Sequence, residues 1–187
     1  MKLKDDLYYV NQVLDGNVEA YAYLVNRHKD HTFNLALRLC GNYEEAEEVA
    51  QDAFLKAYRS LSKFKMKSSF STWLFRIVYN TAISHLRTRK AGILKLEDFQ
   101  AEPSGFTGYV SEQEDDYRKS LVNFALKKLI EDERTLITLF YYEDLSIEEI
   151  AEITGLSTSN VRIRLFRARK KMHDIIRKAE MKNLIYL

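Results

Sequence analysis

The side chains with the clearest chemical direction in this chain are cations grouped where acids are missing. Between residues 153 and 173 stand Arg162, Arg164, Arg167, Arg169, Lys170 and Lys171, with no Asp or Glu among them. Such a run neutralises phosphates, and arginine adds the planar donor pair that fits guanine edges. A second acid-free stretch, residues 53–96, holds ten Lys or Arg. Its segment Lys63-Phe64-Lys65-Met66-Lys67-Ser68-Ser69-Phe70 alternates cations with aromatic rings. That mixture suits unpaired nucleic acid, whose bases stack on rings while cations hold phosphates. Trp73, Arg76, Asn80, Ser84 and Arg87 continue the surface at spacings of 3, 4, 4 and 3 residues, one stripe of a helix. Asn80 and Ser84 have the hydrogen-bonding groups to read an extruded base.

A stacked base contributes about 1–3 kcal/mol. Breaking a DNA stacking step costs about 1.4 kcal/mol. Capture of one or two bases therefore offsets local strand opening without a nucleotide fuel. Catalysis finds no footing in the same segments. No phosphate-cradling glycine loop and no paired acids occur there, and no carboxylate lies between residues 53 and 96 to hold two metals. Cys40 is the only cysteine, and it makes no zinc site with the scattered His28, His31, His85 and His173. No cofactor, no metal and no enzymatic activity are expected.

These side chains need helices to carry them. Ser146-Ile147-Glu148-Glu149-Ile150-Ala151-Glu152-Ile153-Thr154-Gly155-Leu156 has the pattern of a helix-turn-helix, with Gly155 turning the chain. On a helix over residues 157–172, Val161, Leu165, Ala168 and Met172 form one apolar stripe, which must pack on Ile147, Ile150 and Ala151. Ile163, Phe166, Arg167 and Lys170 lie opposite; Arg162 and Arg169 flank one side, Arg164 and Lys171 the other. An apolar pair on an outward face is covered when thymine methyl groups meet it in the major groove. Arg162 and Arg167 reach guanine edges, and the remaining cations are expected to hold phosphates.

Helical periodicity also dominates the first half. Helices are expected near 5–15, 18–40, 43–61 and 71–89. The third has the stripe Ala46, Val49, Ala50, Ala53, Phe54, Ala57, Leu61 and an acidic first turn, Glu44, Glu45, Glu47 and Glu48, matched to the helix dipole. The fourth turns Leu74, Ile77, Val78, Thr81 and His85 one way. Further along, Leu121, Phe124, Ala125 and Leu129 mark one helix, and Leu136, Ile137, Phe140 and Tyr141 the next.

The net charge of +2 conceals a division. Residues 1–90 carry 14 basic and 10 acidic side chains, residues 91–116 carry 1 and 7, and residues 117–187 carry 14 and 10. The acidic middle contains Pro103, the single proline, and Gly92, Gly105 and Gly108, so it reads as a flexible linker. The fold class is all-α: two small helical domains, 1–90 and 117–187, joined by the linker 91–116. No run of 18 apolar residues is present and no signal-peptide core follows Met1. No membrane insertion and a cytoplasmic location are expected.

The segment Tyr43–Tyr58, followed by Phe70-Ser71-Thr72-Trp73-Leu74-Phe75-Arg76-Ile77-Val78-Tyr79-Asn80, resembles the second conserved domain of bacterial RNA polymerase sigma factors of the extracytoplasmic-function group. Residues 118–175 resemble their fourth domain. The resemblance implies that Glu48, Gln51 and Asp52 dock on the clamp of the polymerase β′ subunit. It implies that the loop 63–70, with Asn80 and Ser84, melts and reads the −10 promoter element. By it Lys63, Phe64, Lys65, Lys67, Phe70, Trp73, Arg76, Asn80, Ser84 and Arg87 form the −10 surface. Ser159, Asn160, Arg162, Ile163, Phe166, Arg167 and Lys170 form the −35 surface.

The implied partners are core RNA polymerase, through its β′ clamp and β flap, promoter DNA as duplex and single strand, and an inhibitory anti-sigma factor. The linker is implied to thread toward the RNA exit path. Leu129-Ile130 stands where the family often has Leu-Pro, so a more helical turn is expected there. Ile163 replaces a residue that is small and polar in many relatives, which implies an altered −35 preference. The alternative function is a stand-alone helix-turn-helix regulator on duplex operators; it leaves residues 43–90 unexplained.

Overall fold

The computed structural model describes residues 5–93 and 113–185. Among them are eight α-helices: α1 (Asp6–Leu14), α2 (Ala20–Cys40), α3 (Tyr43–Ser60), α4 (Phe70–Ile93), α5 (Gln113–Lys128), α6 (Glu131–Tyr141), α7 (Ile147–Thr154) and α8 (Thr158–Ile185). The chain divides into two compact units. The first is built on α1–α4, the second on α5, α6, α8 and the greater part of α7. Most of the acidic linker expected at 91–116 lies outside the described residues. Its two ends belong to helices, since α4 runs to Ile93 and α5 begins at Gln113. Acids near a helix start match the positive end of its dipole, so the same charges serve a helix or a solvated linker.

In the first unit α2 packs on α1, α3 and α4, and α3 packs on α4. The alanine stripe of α3 is the reason these helices approach closely: Ala46, Val49, Ala50, Ala53 and Ala57 are all buried. Leu24, Leu35, Leu39, Leu74 and Val78 fill the space around them. Local chemistry sets the ends. Asp5 accepts from the Tyr8 N–H at 3.0 Å and starts α1. Gly41 closes α2 in the left-handed conformation at φ 74°, and Asn42 opens α3 by accepting from the Glu45 N–H at 3.0 Å. Between α3 and α4 a 3-10 turn, Leu61–Lys63, leads into a loop, and Ser69 caps α4 by accepting from the Thr72 N–H at 3.0 Å.

In the second unit α8 packs on α5 and α6. Val161, Leu165 and Ala168 of α8 are fully buried, as the apolar stripe requires, and Ile150 of α7 is buried too. Ser146 and Glu149 start α7 reciprocally: the Ser146 N–H donates to Glu149 Oε2 at 3.0 Å, and the Glu149 N–H to Ser146 Oγ at 3.2 Å. Gly155 turns between α7 and α8 at φ 73°. The expectation of a more helical turn at Leu129-Ile130 is corrected. Ile130 has φ −66° and ψ 158°, the conformation that proline prefers, and it stands outside α6 as its N-cap. Its N–H donates to Glu133 Oε2 at 3.3 Å, so a side chain three residues on does what ring rigidity does elsewhere.

Candidate nucleic-acid interface

Between Arg162 and Lys171 the cations of α8 divide into two sets with different employment. Arg164 Nη1 donates to Asp132 Oδ2 at 3.0 Å, and Lys171 Nζ to Glu133 Oε2 at 2.8 Å. Both acids belong to the first turn of α6, so these two cations fasten α8 to its neighbour. Arg169 lies over the Phe140 ring at 5.6 Å and the Tyr141 ring at 5.9 Å. Of the cations expected to hold phosphates, Arg164, Arg169 and Lys171 thus already have partners on α6 in this structure. Helical spacing puts Arg164 and Lys171 on one flank of the buried stripe and Arg169 on the other; α6 supplies acids to the first flank and rings to the second.

The other set faces outward. Arg167 and Lys170 are exposed and make no ion pair among the described residues. Phe166 is 68% exposed and Ile163 51%, high values for apolar side chains on one helix face. Arg162, also exposed, has a loose 3.3 Å contact with Glu148 on α7. Ser159 and Asn160 stand exposed in the first turn of α8, where the Asn160 N–H meets Ser157 Oγ at 3.3 Å. The result is a helix whose free face starts at a positive dipole end and combines cations with uncovered apolar groups. A major groove accepts that combination.

The first unit carries the second surface. Lys63, Lys65, Lys67, Arg76, Asn80, Ser84 and Arg87 are all exposed, and the five cations among them make no ion pair among the described residues. The rings behave otherwise. Phe64 is 6% exposed and Phe70 1%. Phe64 meets Phe70 at 5.9 Å and Trp73 at 5.1 Å, and Phe70 meets Trp73 at 5.7 Å. The stacking role expected for Phe64 and Phe70 is corrected: they are the core beneath the loop, because burying two phenyl rings outweighs leaving them free in water. Trp73 is half-buried in the same cluster. The loop above is thus short, cationic and flanked by buried rings, and Met66 within it has φ 57°.

Glu48, Gln51 and Asp52 are exposed on α3. Asp52 pairs with Lys56 at 2.9 Å, and Lys56 also donates to Thr81 at 3.2 Å on α4. Glu48 and Asp52 share a shallow groove of about 210 Å³ with Ser84 and His85. The structure thus sets the acidic edge and the far end of the polar α4 stripe side by side, which the sequence did not show. A second hollow, of about 420 Å³, lies in the other unit, lined by Val122, Ile137, Tyr141, Met172 and Ile176 among others. Sequence reasoning missed it; the one available signal was the pair Tyr141-Tyr142 at the end of an apolar helix.

Sigma-70 region 2 matches residues 24–92, and sigma-70 region 4 matches residues 121–172. The chain is 33% identical over 178 residues to the ECF RNA polymerase sigma factor SigW of Bacillus subtilis, covering 90% of this chain and 95% of that one. The chain belongs to the extracytoplasmic-function group of the sigma-70 family. The RNA polymerase sigma-H factor of Pseudomonas aeruginosa is 34% identical over 190 residues, covering 94% and 98% of the two chains. Among solved structures, CnrH in complex with the cytosolic domain of CnrY aligns with TM-score 0.69 and 28% identity over 92% of this chain and 97% of that one. The sigma factor RpoE of Bartonella quintana, in complex with the anti-sigma factor NepR, aligns with TM-score 0.70 and 25% identity over 84% and 96%. As an ECF sigma factor the chain directs transcription initiation. The region 2 match also accounts for the residues that a stand-alone regulator leaves without a role.

Proposed function

We propose that the two units divide promoter recognition, with boundaries near 1–90, 91–116 and 117–187. The outward face of α8, with Ser159, Asn160, Arg162, Ile163, Phe166, Arg167 and Lys170, holds the −35 duplex. The loop cations Lys63, Lys65 and Lys67, with Arg76, Asn80, Ser84 and Arg87 on α4, take the opened −10 strand. Glu48, Gln51 and Asp52 meet a basic surface of the polymerase clamp. The apolar hollow of the second unit seats the β flap. An anti-sigma factor, the kind of partner seen with RpoE of Bartonella quintana, competes for the same surfaces. The chain works in the cytoplasm as a polymerase subunit and has no catalytic activity of its own.

One observation carries this reading. Cations without acidic partners collect on two exposed faces, one built for a groove and one for a strand, while Arg164, Arg169 and Lys171 of α8 are held by α6. Transcription with core polymerase tests it. Asn80→Ala is expected to keep polymerase and promoter binding and to reduce permanganate reactivity of unpaired thymines. Glu48→Lys with Asp52→Lys is expected to abolish polymerase binding. Normal strand opening by the first variant, or normal polymerase binding by the second, overturns the corresponding assignment.

A further inference from the structure

The loop of the first unit does not stand on its own sequence alone. Phe64 ends the 3-10 turn, its N–H donating to the Leu61 carbonyl at 3.0 Å, and Phe70 is the first residue of α4. Their edge-on contact, with ring centroids 5.9 Å apart, therefore pins both ends of the stretch 65–69. Within that stretch Met66 holds φ 57°, a conformation that residues with side chains keep only where their surroundings impose it. Behind Phe70 lies His28 of α2, buried, its ring 5.4 Å from the phenyl ring.

His28 is in turn fixed from α1. Its Nε2 lies 2.9 Å from Asp6 Oδ2, and Arg27 Nη1 donates to Asp6 Oδ1 at 2.7 Å. Burial by itself would raise the Asp6 carboxyl, but the bonds from His28 and Arg27 hold it below the usual carboxylate range. An ionised carboxylate only accepts, so the imidazole donates through Nε2, and that bond sets the ring plane offered to Phe70. Helix α1 also packs directly on the 3-10 turn that launches the loop. Two routes thus connect α1 to one loop: through the turn, and through Asp6, His28 and Phe70.

We propose that His28, oriented by Asp6, is a positioning residue for strand opening: it backs Phe70 and so fixes the posture of the cationic loop 65–69, without touching DNA. The proposal rests on the reading of that loop as the strand-opening surface. A ring that only fills the core would affect every activity of the unit alike. A ring that sets loop posture affects the step in which the loop takes unpaired strand, and no other.

The experiment uses the full chain with core polymerase on two templates, a paired promoter and the same promoter already mismatched over the melted segment. His28→Ala is expected to reduce opening of the paired promoter roughly tenfold, the change equivalent to losing about one captured base. On the pre-opened template it is expected to transcribe within about twofold of the parent, a difference too small to equal one captured base. His28→Phe keeps a ring against Phe70 but loses the bond to Asp6, and is expected to recover only part of the opening on the paired promoter. Equal losses on both templates, or parental opening by His28→Ala, overturn the inference. Lys65→Ala with Lys67→Ala separates the two levels. If that variant opens poorly while His28→Ala opens normally, only the inference falls; if the lysine variant also opens normally, the reading of the loop falls and the inference with it.

Discussion

A cation on a DNA-binding helix is informative only once its partner is known. Arg164 and Arg167 are three residues apart on α8, yet Arg164 is bonded to Asp132 at 3.0 Å and Arg167 is open to solvent. Arg167→Ala is expected to weaken −35 recognition by about 1–3 kcal/mol, the range for a base-reading contact, with polymerase affinity unchanged. Arg164→Ala is expected to leave promoter affinity intact and to lower stability by about 0.2–1 kcal/mol, since its ion pair is largely exposed. Competition binding of the holoenzyme on promoter variants, together with urea unfolding, distinguishes the two; equal losses of DNA affinity would contradict the division. Residue type alone did not reveal this split. The helical wheel put Arg164 and Arg167 on different faces correctly, but the acid that captures Arg164 sits 32 residues earlier and on another helix. Phe64 and Phe70 show the same limit from the other side. An aromatic ring between lysines has one composition whether it faces water or core, and the outcome depends on which helices converge beneath it.

At the scale of elements, helix ends were legible because they are written in local chemistry. Asn42, Ser69, Ser146 and Ser157 all accept from a backbone N–H three residues on, and Gly41 and Gly155 take the left-handed turn. The register of α3 was equally plain, since its alanine stripe admits a single buried face. Helix lengths were less so. The recognition helix continues to Ile185, well past the motif that announced it, because after Met172 no proline or glycine stops it. Leu129-Ile130 was misjudged because backbone conformation there follows the Glu133 side chain and not the residue's own preference. The turn at Gly155 gives a direct test. A Cβ there would meet no heavy atom within 4 Å, so the whole penalty of Gly155→Ala comes from φ 73°. Unfolding in urea is expected to show a loss of about 1–2 kcal/mol; an unchanged midpoint would mean that the turn relaxes without cost.

For the whole molecule, charge balance says less than charge placement. A net charge of +2 is the sum of two basic units and an acidic middle, and within the second unit part of the basic surplus is already neutralised by α6. That internal pairing also governs how the ion atmosphere of DNA responds. Only a cation that displaces a condensed counterion contributes to the salt sensitivity of binding, by roughly 0.9 in the slope of log affinity against log salt. Arg164 and Lys171 already have their anions on α6, so Arg164→Gln with Lys171→Gln is expected to leave the slope of holoenzyme binding unchanged. Arg167→Gln with Lys170→Gln is expected to flatten it by roughly 1.8, twice the contribution of one phosphate contact. Titrations across a range of potassium concentrations decide the matter, and equal slopes for both pairs would show that the acids of α6 release their cations on DNA. A promoter complex that depends on few displaced ions is one whose occupancy holds when the surrounding salt rises, a property fixed by where α6 keeps its acids.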